Sequence, residues 1–437
     1  MSNIITEGVG SLCSRFFIDY GKELNSNRAL PMLMDGLKPS YRRAIYTAIQ
    51  APGNHMKSLD FVGNMFKMHP HGDKSIVGVE TKLVRARIFK ELANFGYYPI
   101  YGTQSPAAAP RYTETGVEDN WYKIMNELID VVPYVDGEVE GVREPAYLAT
   151  PIPISLVIGG RGVALGMNTN IPSFDPKSIL DAYLNDDPSL LKSYYDLEID
   201  YENSELDRLW NDGVGRVIYK YHITPETDAS GCQGVVIEGD TQVFIPNWEQ
   251  IDDWRDQGLL FVRDESTGGH NRIFIGKNKN VRKISVDDIL EECNLCCSSL
   301  YTFSQIQYTY KLGIYDGTIG RYISMKDWID TTYKNYIDLI SKYKEKNIGK
   351  LNFDKSVYNN LRAVADILMN AESDISNEEI ANQLEISADI VAAITRKSIS
   401  TLKRCDTEGM IASIDEKINY YDSIKPKKFI KTIISEM

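Results

Sequence analysis

Ser105-Pro-Ala-Ala-Ala-Pro-Arg-Tyr-Thr-Glu114 places a tyrosine directly after an arginine, behind a run of small residues. A phenol is a poor nucleophile at neutral pH because its pKa lies at about 10. It improves when a cation stabilises the phenolate and orients an electrophile. Arg111 is such a cation, and a guanidinium grips a phosphate through two parallel hydrogen bonds. The three alanines would let a phosphate backbone approach closely. Tyr112 is one of 27 tyrosines, so the pair carries weight only with support from the rest of the chain.

Working outward, that support begins with charge. The chain has 437 residues and a net charge of −13. The segment from Arg28 to Arg111 holds twelve basic residues and five acidic ones, which leaves −20 for the remainder. This asymmetry fits a polyanion-binding region on an acidic body, or else a solvated basic face. The length predicts two to four domains. No apolar run reaches membrane-spanning length and no leader pattern opens the sequence, which implies a cytoplasmic protein with no membrane partner. The six cysteines, at 13, 232, 293, 296, 297 and 405, are too scattered for a disulfide framework. Cys293-Asn-Leu-Cys296-Cys297 has no second pair to complete a zinc site and reads as buried thiols on a helix.

Before the tyrosine, the pattern predicts an N-terminal helix with Leu12, Phe16, Phe17 and Tyr20 on one side. Three short helices follow: Tyr41–Ile49, one from Asp60 towards Pro70, and one from Asp73 through Lys90. Short helices with basic residues fit a helix-turn-helix or winged-helix unit. His69-Pro-His-Gly-Asp73 could bind a metal, hydrogen-bond a phosphate, or form a solvent-facing turn. Beyond the tyrosine, a helix is expected over Asn120–Val132. Gly160, Gly162 and Gly166 do not have the spacing of a dinucleotide-binding loop, and no phosphate-cradling nucleotide motif occurs.

From Gly215 to Lys283 the segments alternate as strands: Arg216–His222, Gly234–Ile237, Gln242–Ile245 and Arg272–Ile275. A helix over Val286–Ser299 capped by Ser285, and a strand over Gln305–Ile314, come next. Ile329, Tyr333, Tyr336, Ile340 and Tyr343, and then Ile411, Ile414, Ile418 and Tyr421, form heptad seams. Between them Ser376 and Ser387 cap shorter helices. Two such arms around a helical cap suggest an antiparallel coiled coil with a globular tip; a plain bundle is the alternative.

Several stretches occur in a telling order: Arg28-Ala-Leu-Pro31, Asp35-Gly-Leu-Lys-Pro39 followed by Arg42-Arg43, His69-Pro-His-Gly-Asp73, Ala107-Ala-Ala-Pro-Arg-Tyr-Thr-Glu114, Arg143-Glu-Pro145, and Gly162-Val-Ala-Leu-Gly-Met running on to Ile171-Pro172. Together they resemble the breakage–reunion (gyrase A/ParC-like) subunits of type IIA DNA topoisomerases, most of all the medium subunits of T4-type bacteriophages. The resemblance covers about the first 175 residues directly. It implies an α+β multidomain fold. Its parts would be an N-terminal arm (1–25), a winged-helix (CAP-like) DNA-cleavage domain (26–148), a β-rich tower domain (149–322), an antiparallel coiled-coil stalk (323–350 and 406–437) and a helical C-gate (351–405).

By the same resemblance Tyr112 is the nucleophile that forms a transient 5′-phosphotyrosyl bond. Arg111, Arg42 and His71 assist it, and Arg28, Lys38, Arg43, His69 and Lys74 position DNA by its phosphates. Val163 stands where the family inserts an apolar wedge between base steps; valine is shorter than the isoleucine usual there. Magnesium and ATP would be bound by TOPRIM and GHKL ATPase partner subunits, with no metal held by this chain, which would act as a homodimer through the C-gate on double-stranded DNA. Lys74 and Gly78 replace the residues that anchor quinolones in bacterial members. The chain end leaves no room for a DNA-wrapping domain, so relaxation or decatenation is expected rather than supercoiling. The competing expectation is a noncatalytic, DNA-bending winged-helix protein.

Overall fold

The structure is a computed structural model that describes residues 8–96, 99–102, 106–240, 246–266, 271–297, 309–311, 313–370, 375–397 and 406–435. Ser105, Cys405 and the strand expected at Gln242–Ile245 lie outside the described residues. The chain divides into two compact units, Met1–Tyr336 with Ile433–Met437, and Ile337–Thr432.

In the larger unit, helix α1 (Val9–Leu24) leads into a π-helical turn, Asn25–Ala29. Phe16, Phe17 and Tyr20 on α1 are each about 60% exposed. Asp35 then caps its own turn, its side chain accepting the Leu37 N–H at 2.8 Å, as short acidic side chains do in turns. Helix α2 (Pro39–Ile49) opens with proline in its first turn, where the missing N–H costs nothing. Strand β1 (Met56–Lys57), helix α3 (Ser58–Met65) and helix α4 (Asp73–Arg85) follow. The three helices α2–α4 pack on one another and bury Ile45, Phe61, Ile76 and Leu83.

Helix α4 stops short of the expected Lys90. Arg87 adopts φ 54°, and the next residues pair instead with the segment after the tyrosine. Lys90 N donates to Gly116 O at 2.8 Å and Glu118 N to Ile88 O at 2.9 Å. Strand β2 (Glu114–Thr115) pairs antiparallel with β1. The helix expected over Asn120–Val132 is α5 (Asp119–Asn126), followed by the hairpin of β3 (Tyr134–Asp136) and β4 (Arg143–Pro145). After α6 (Ser155–Ile158) comes a second hairpin, β5 (Gly160–Ala164) and β6 (Met167–Ile171). Its sheet is completed by Thr309–Lys311 and Val214–Arg216.

The strand expected at Arg216–His222 is three pieces, because each finds a different partner. Val214–Arg216 pairs with Thr309–Lys311, Tyr219–Lys220 with Glu198–Ile199, and His222–Thr227 with Gln233–Glu238. The last pair belongs to a four-stranded antiparallel sheet with Arg272–Lys277 and Leu260–Asp264. Of the strand expected over Gln305–Ile314, residues 305–308 and 312 lie outside the described residues; Thr309–Lys311 pairs as above, and Gly313–Tyr315 pairs with Gly320–Tyr322. Helix Val286–Cys296 starts at a Ser285 capping box, and Cys293, Cys296 and Cys297 are buried free thiols.

A single helix, Met325–Asn370, runs past the expected stop at 350. In the larger unit its Ile329, Tyr333 and Tyr336 are buried. Tyr336 donates to Ile124 O at 3.2 Å and Tyr333 packs on Tyr183 at 5.2 Å between ring centroids. This part of the seam therefore serves the core of that unit rather than a partner arm. In the smaller unit the later part of the helix lies antiparallel to Thr407–Ser423. Lys355 pairs with Asp415 at 2.6 Å, and Tyr343 meets Tyr421 at 5.9 Å. Between them, helices Asn377–Leu384 and Ala388–Thr395, capped by Ser376 and Ser387, pack around Val357, Val364, Ile380, Val391 and Ile394. No helix among the described residues is long and apolar enough to cross a membrane.

Candidate active site

Tyr112 is 64% exposed. It sits in a turn closed by its N–H to Ala109 O at 2.8 Å. Arg111 stacks on the phenol ring, its guanidinium carbon 4.5 Å from the centroid, a cation–π contact worth about 0.5–1 kcal/mol at an exposed site. The backbone just after the tyrosine is firmly held. Ser58 N donates to Thr113 O at 3.0 Å. Thr113 Oγ1 donates to Ser58 Oγ at 2.7 Å, and Ser58 Oγ to Glu80 Oε1 at 2.6 Å. His55 Nε2 lies 2.8 Å from a Glu114 carboxylate oxygen. The Asn54 side chain accepts the Val117 N–H at 2.9 Å and donates to the Val117 carbonyl at 2.7 Å. Gly116 passes so close to the Asn54 carbonyl that a Cβ would overlap it. Gly116→Ala should cost about 3 kcal/mol in chemical denaturation, because the clash is with backbone and cannot be relieved by a rotamer.

A second cluster forms around Arg43, which is buried at 7% exposure. Glu144 accepts from Arg43 Nε at 2.7 Å and from Nη2 at 2.9 Å, a two-point grip. Arg43 Nη1 reaches Glu138 Oε2 at 2.6 Å and His69 Nδ1 at 3.0 Å. Since a guanidinium only donates, His69 Nδ1 is the acceptor and the ring's proton is on Nε2. Burial, then the neighbouring His71 and Arg43 charges, hold His69 down to about 4, so it is neutral at physiological pH. His71 Nε2 lies 3.1 Å from Glu138 Oε1, and the two imidazoles meet edge-on at 4.2 Å.

The ligand atoms of His69, His71 and Glu138 come within 4.8 Å of one another. They do not suit magnesium, which takes oxygen ligands, and Arg43 donates to both His69 and Glu138 where an ion would have to sit. Arg43 already holds the carboxylates of Glu144 and of Glu138, the latter from the β3–β4 turn. Burial opposes the charged form of Glu138, but the Arg43 hydrogen bond and charge outweigh it and lower its pKa.

The remaining expected site residues lie on α4, the π-helical turn, the start of α2 and β5. Arg28 is exposed on the π-helical turn, and its charge acts on His69. Lys74 is exposed in the first turn of α4. Lys38 donates to Arg161 O on β5 at 2.8 Å; burial, then the charge of Lys82, lower its pKa. Val163 stands 84% exposed on β5. Its hairpin is clamped from the other side by Asn25, which accepts from Leu165 N at 2.7 Å and donates to Leu165 O at 3.2 Å. Gly162 lies against the Ala29 carbonyl, with no room for a Cβ.

Arg42 has a different position from the one its motif suggested. It is buried at 8% exposure, with Nε and Nη2 on the fully buried Asp35 carboxylate at 2.7 and 3.1 Å. Nη2 also reaches Leu37 O at 3.1 Å. No described hydrogen bond or ion pair joins Tyr112 or Arg111 to Arg42 or His71. Sequence reading passed over Asp35, Glu138, Glu144, Ser58 and Glu80. For Glu80 a signal existed, since it shares the apolar face of α4 with Ile76, Leu83 and Val84.

Residues 28–437 match the family model for the A subunit of DNA gyrase/topoisomerase IV. The chain belongs to this family. It is 25% identical over 487 aligned residues to the DNA gyrase A subunit of Streptococcus pyogenes, a match covering all of this chain and 56% of that protein. For the DNA gyrase A subunit of Rickettsia conorii the identity is 26% over 420 aligned residues, covering 87% of this chain and 45% of the relative. That of Clostridium acetobutylicum is 23% identical over 469 residues, covering 99% and 54%. The chain thus spans about half the length of the curated relatives it matches. Tyr112, Arg111 and the Arg43–His69–His71 cluster all lie inside the part that matches the family.

Proposed function

We propose that this chain is the DNA-cleaving and religating subunit of an ATP-dependent type IIA topoisomerase. The observation that carries the reading is the exposed Tyr112, stacked under Arg111 in a turn whose following residues are hydrogen-bonded to Asn54, His55 and Ser58, in a member of the gyrase/topoisomerase IV A-subunit family. The phenol oxygen attacks a backbone phosphorus in line. The bond from phosphorus to the 3′ oxygen breaks, that oxygen takes a proton, and the protein stays linked to the 5′ phosphate. Because the ester retains the bond energy, reversal reseals the strand without further input. Arg111 stabilises charge on the pentacoordinate phosphoryl group. Arg28, Lys38, Lys74, Arg43, His69 and His71 hold flanking phosphates. Val163, on a hairpin tied to Lys38 and Asn25, enters between base steps and bends the duplex, at a cost of a few kcal/mol in unstacking. Arg42 serves from within the scaffold by fixing the turn that carries Lys38.

Two copies are required, one tyrosine for each strand, joined through the smaller unit as the dimer gate. Magnesium and ATP are assigned to TOPRIM and GHKL partner subunits. A T4-type medium subunit is the narrower form of this proposal. Mixing the chain with phage-type or gyrase B-type partners, duplex DNA and magnesium, then denaturing with detergent, tests both. Protein linked to 5′ ends supports the reading, and the partner that permits it tells the subfamily. DNA that is bound and bent with no adduct would favour the noncatalytic alternative.

Phosphate entering the Arg43 cluster must displace a carboxylate already there. Glu138→Gln should therefore bind duplex DNA about tenfold more tightly in a low-salt titration, the equivalent of removing about 1.4 kcal/mol of like-charge repulsion. The gain should shrink as salt is raised.

A further inference from the structure

We propose that Glu80 is a positioning residue for the cleavage step, holding through Ser58 and Thr113 the turn that presents Tyr112. This rests on the reading of Tyr112 as the nucleophile. Glu80 is fully buried on the apolar face of α4. A leucine there would complete the stripe that packs against α2 and α3. Its Oε1 accepts from Ser58 Oγ at 2.6 Å, while its Oε2 has no hydrogen-bond partner. Burial pushes the carboxyl up to about 7, against the opposing effect of the Ser58 hydrogen bond. A buried carboxyl with a single hydrogen bond and no ion pair is a poor choice for stability alone.

What Glu80 does achieve is directional. Ionised, or protonated on the unpartnered Oε2, the carboxyl offers Oε1 as an acceptor, so Ser58 donates to it, which leaves Ser58 Oγ free to accept from Thr113 Oγ1 at 2.7 Å. The Ser58 N–H adds a bond to the Thr113 carbonyl at 3.0 Å. Thr113 is thus fixed at both its side chain and its backbone, and Tyr112 is the residue immediately before it. An in-line attack depends on the phenol oxygen being placed to within a fraction of an ångström, and a misplacement of about 1 Å costs about a hundredfold in rate. Glu80 has no exposed surface and its hydrogen bond is to Ser58, so its proposed effect passes through Ser58 and Thr113.

The test uses the full chain reconstituted with its partner subunits, duplex DNA and magnesium. It reads the rate of 5′-adduct formation, the DNA dissociation constant and the melting temperature. Glu80→Leu should slow adduct formation about tenfold or more while DNA affinity stays within about twofold. Its melting temperature should equal or exceed that of the wild type, since an apolar group replaces a buried carboxyl. Glu80→Gln keeps an acceptor oxygen and should restore most of the rate. Thr113→Val should slow the reaction similarly, and Glu80→Leu with Thr113→Val should slow it no further, because both cut the same relay of hydrogen bonds. Adduct formation by Glu80→Leu at the wild-type rate, or a loss confined to DNA affinity, overturns the role while leaving Tyr112 as nucleophile. Absence of adduct from the wild type itself overturns the nucleophile reading and this role together.

Discussion

Tyr112→Phe should bind duplex DNA as the wild type does and leave no protein linked to 5′ ends. The substitution removes one oxygen from a side chain that is 64% exposed. Stability should therefore change by no more than about 0.5 kcal/mol, as for exposed positions generally. Arg111 keeps its aromatic platform, so the local charge is unchanged. What disappears is the oxygen proposed to bond to phosphorus. The loss should be complete to the detection limit of a detergent-trapped adduct assay with partner subunits and magnesium, with gel-shift affinity as the control. Equal adduct from wild type and Tyr112→Phe would mean that another side chain is the nucleophile.

Asp35→Ala should be the most damaging single change to the scaffold. The Asp35 carboxylate is fully buried and accepts four hydrogen bonds that fix the site's framework: Leu37 N at 2.8 Å, Leu148 N at 3.0 Å, and Arg42 Nε and Nη2 at 2.7 and 3.1 Å. Removing it strands the Arg42 guanidinium at 8% exposure and orphans two backbone N–H groups. Loss of one partner from a buried ion pair costs about 3–5 kcal/mol. The urea midpoint of the full chain should fall accordingly. Asp35→Ala with Arg42→Met should recover much of the loss, because no uncompensated charge remains. If Asp35→Ala unfolds like the wild type, Arg42 is not held in the way its hydrogen bonds indicate.

Arg42 shows what a sequence can and cannot convey. An arginine in the first turns of a helix reads as solvent-facing, and its motif suggested contact with phosphate. Its partner Asp35 is only seven residues away, in the Asp-Gly turn, but pairing requires that turn to fold back under α2. Arg43, the next residue, reads the same way in sequence and is occupied by Glu144 and Glu138, about a hundred residues downstream. Nothing local announces those contacts. The roles expected of Tyr112, Arg111 and Val163 came from resemblance; what the structure adds is that Tyr112 and Val163 are exposed, which small flanking residues and a glycine-rich hairpin permit.

The elements that departed from expectation did so through tertiary pairing. The end of α4 gave way to pairing between residues 88–90 and 116–118, and the Arg216–His222 run split among three partners. The buried Glu80 is the opposite case, where a local signal was present in the pattern of α4. A charged residue on an apolar helical stripe is either an error of register or a residue with a buried task, and its partners Ser58 and Thr113 are far off in the chain.

The segment just before Asp35 also constrains how the protein can be made. Met32 bridges to Tyr315, with Leu33 N donating to Tyr315 O and Tyr315 N to Pro31 O, each at 2.8 Å. Trp328, fully buried, donates its indole N–H to Leu33 O at 2.8 Å across a separation of 295 residues. Contacts this distant form late, since the whole intervening loop must be closed first. At about 5–20 residues per second, a ribosome needs on the order of tens of seconds to deliver them. Tyr112 leaves the ribosome well before the Asp35 segment can meet Tyr315 and Trp328. During synthesis, then, a chain that already carries Tyr112 stays unfinished until nearly all of the larger unit has been translated.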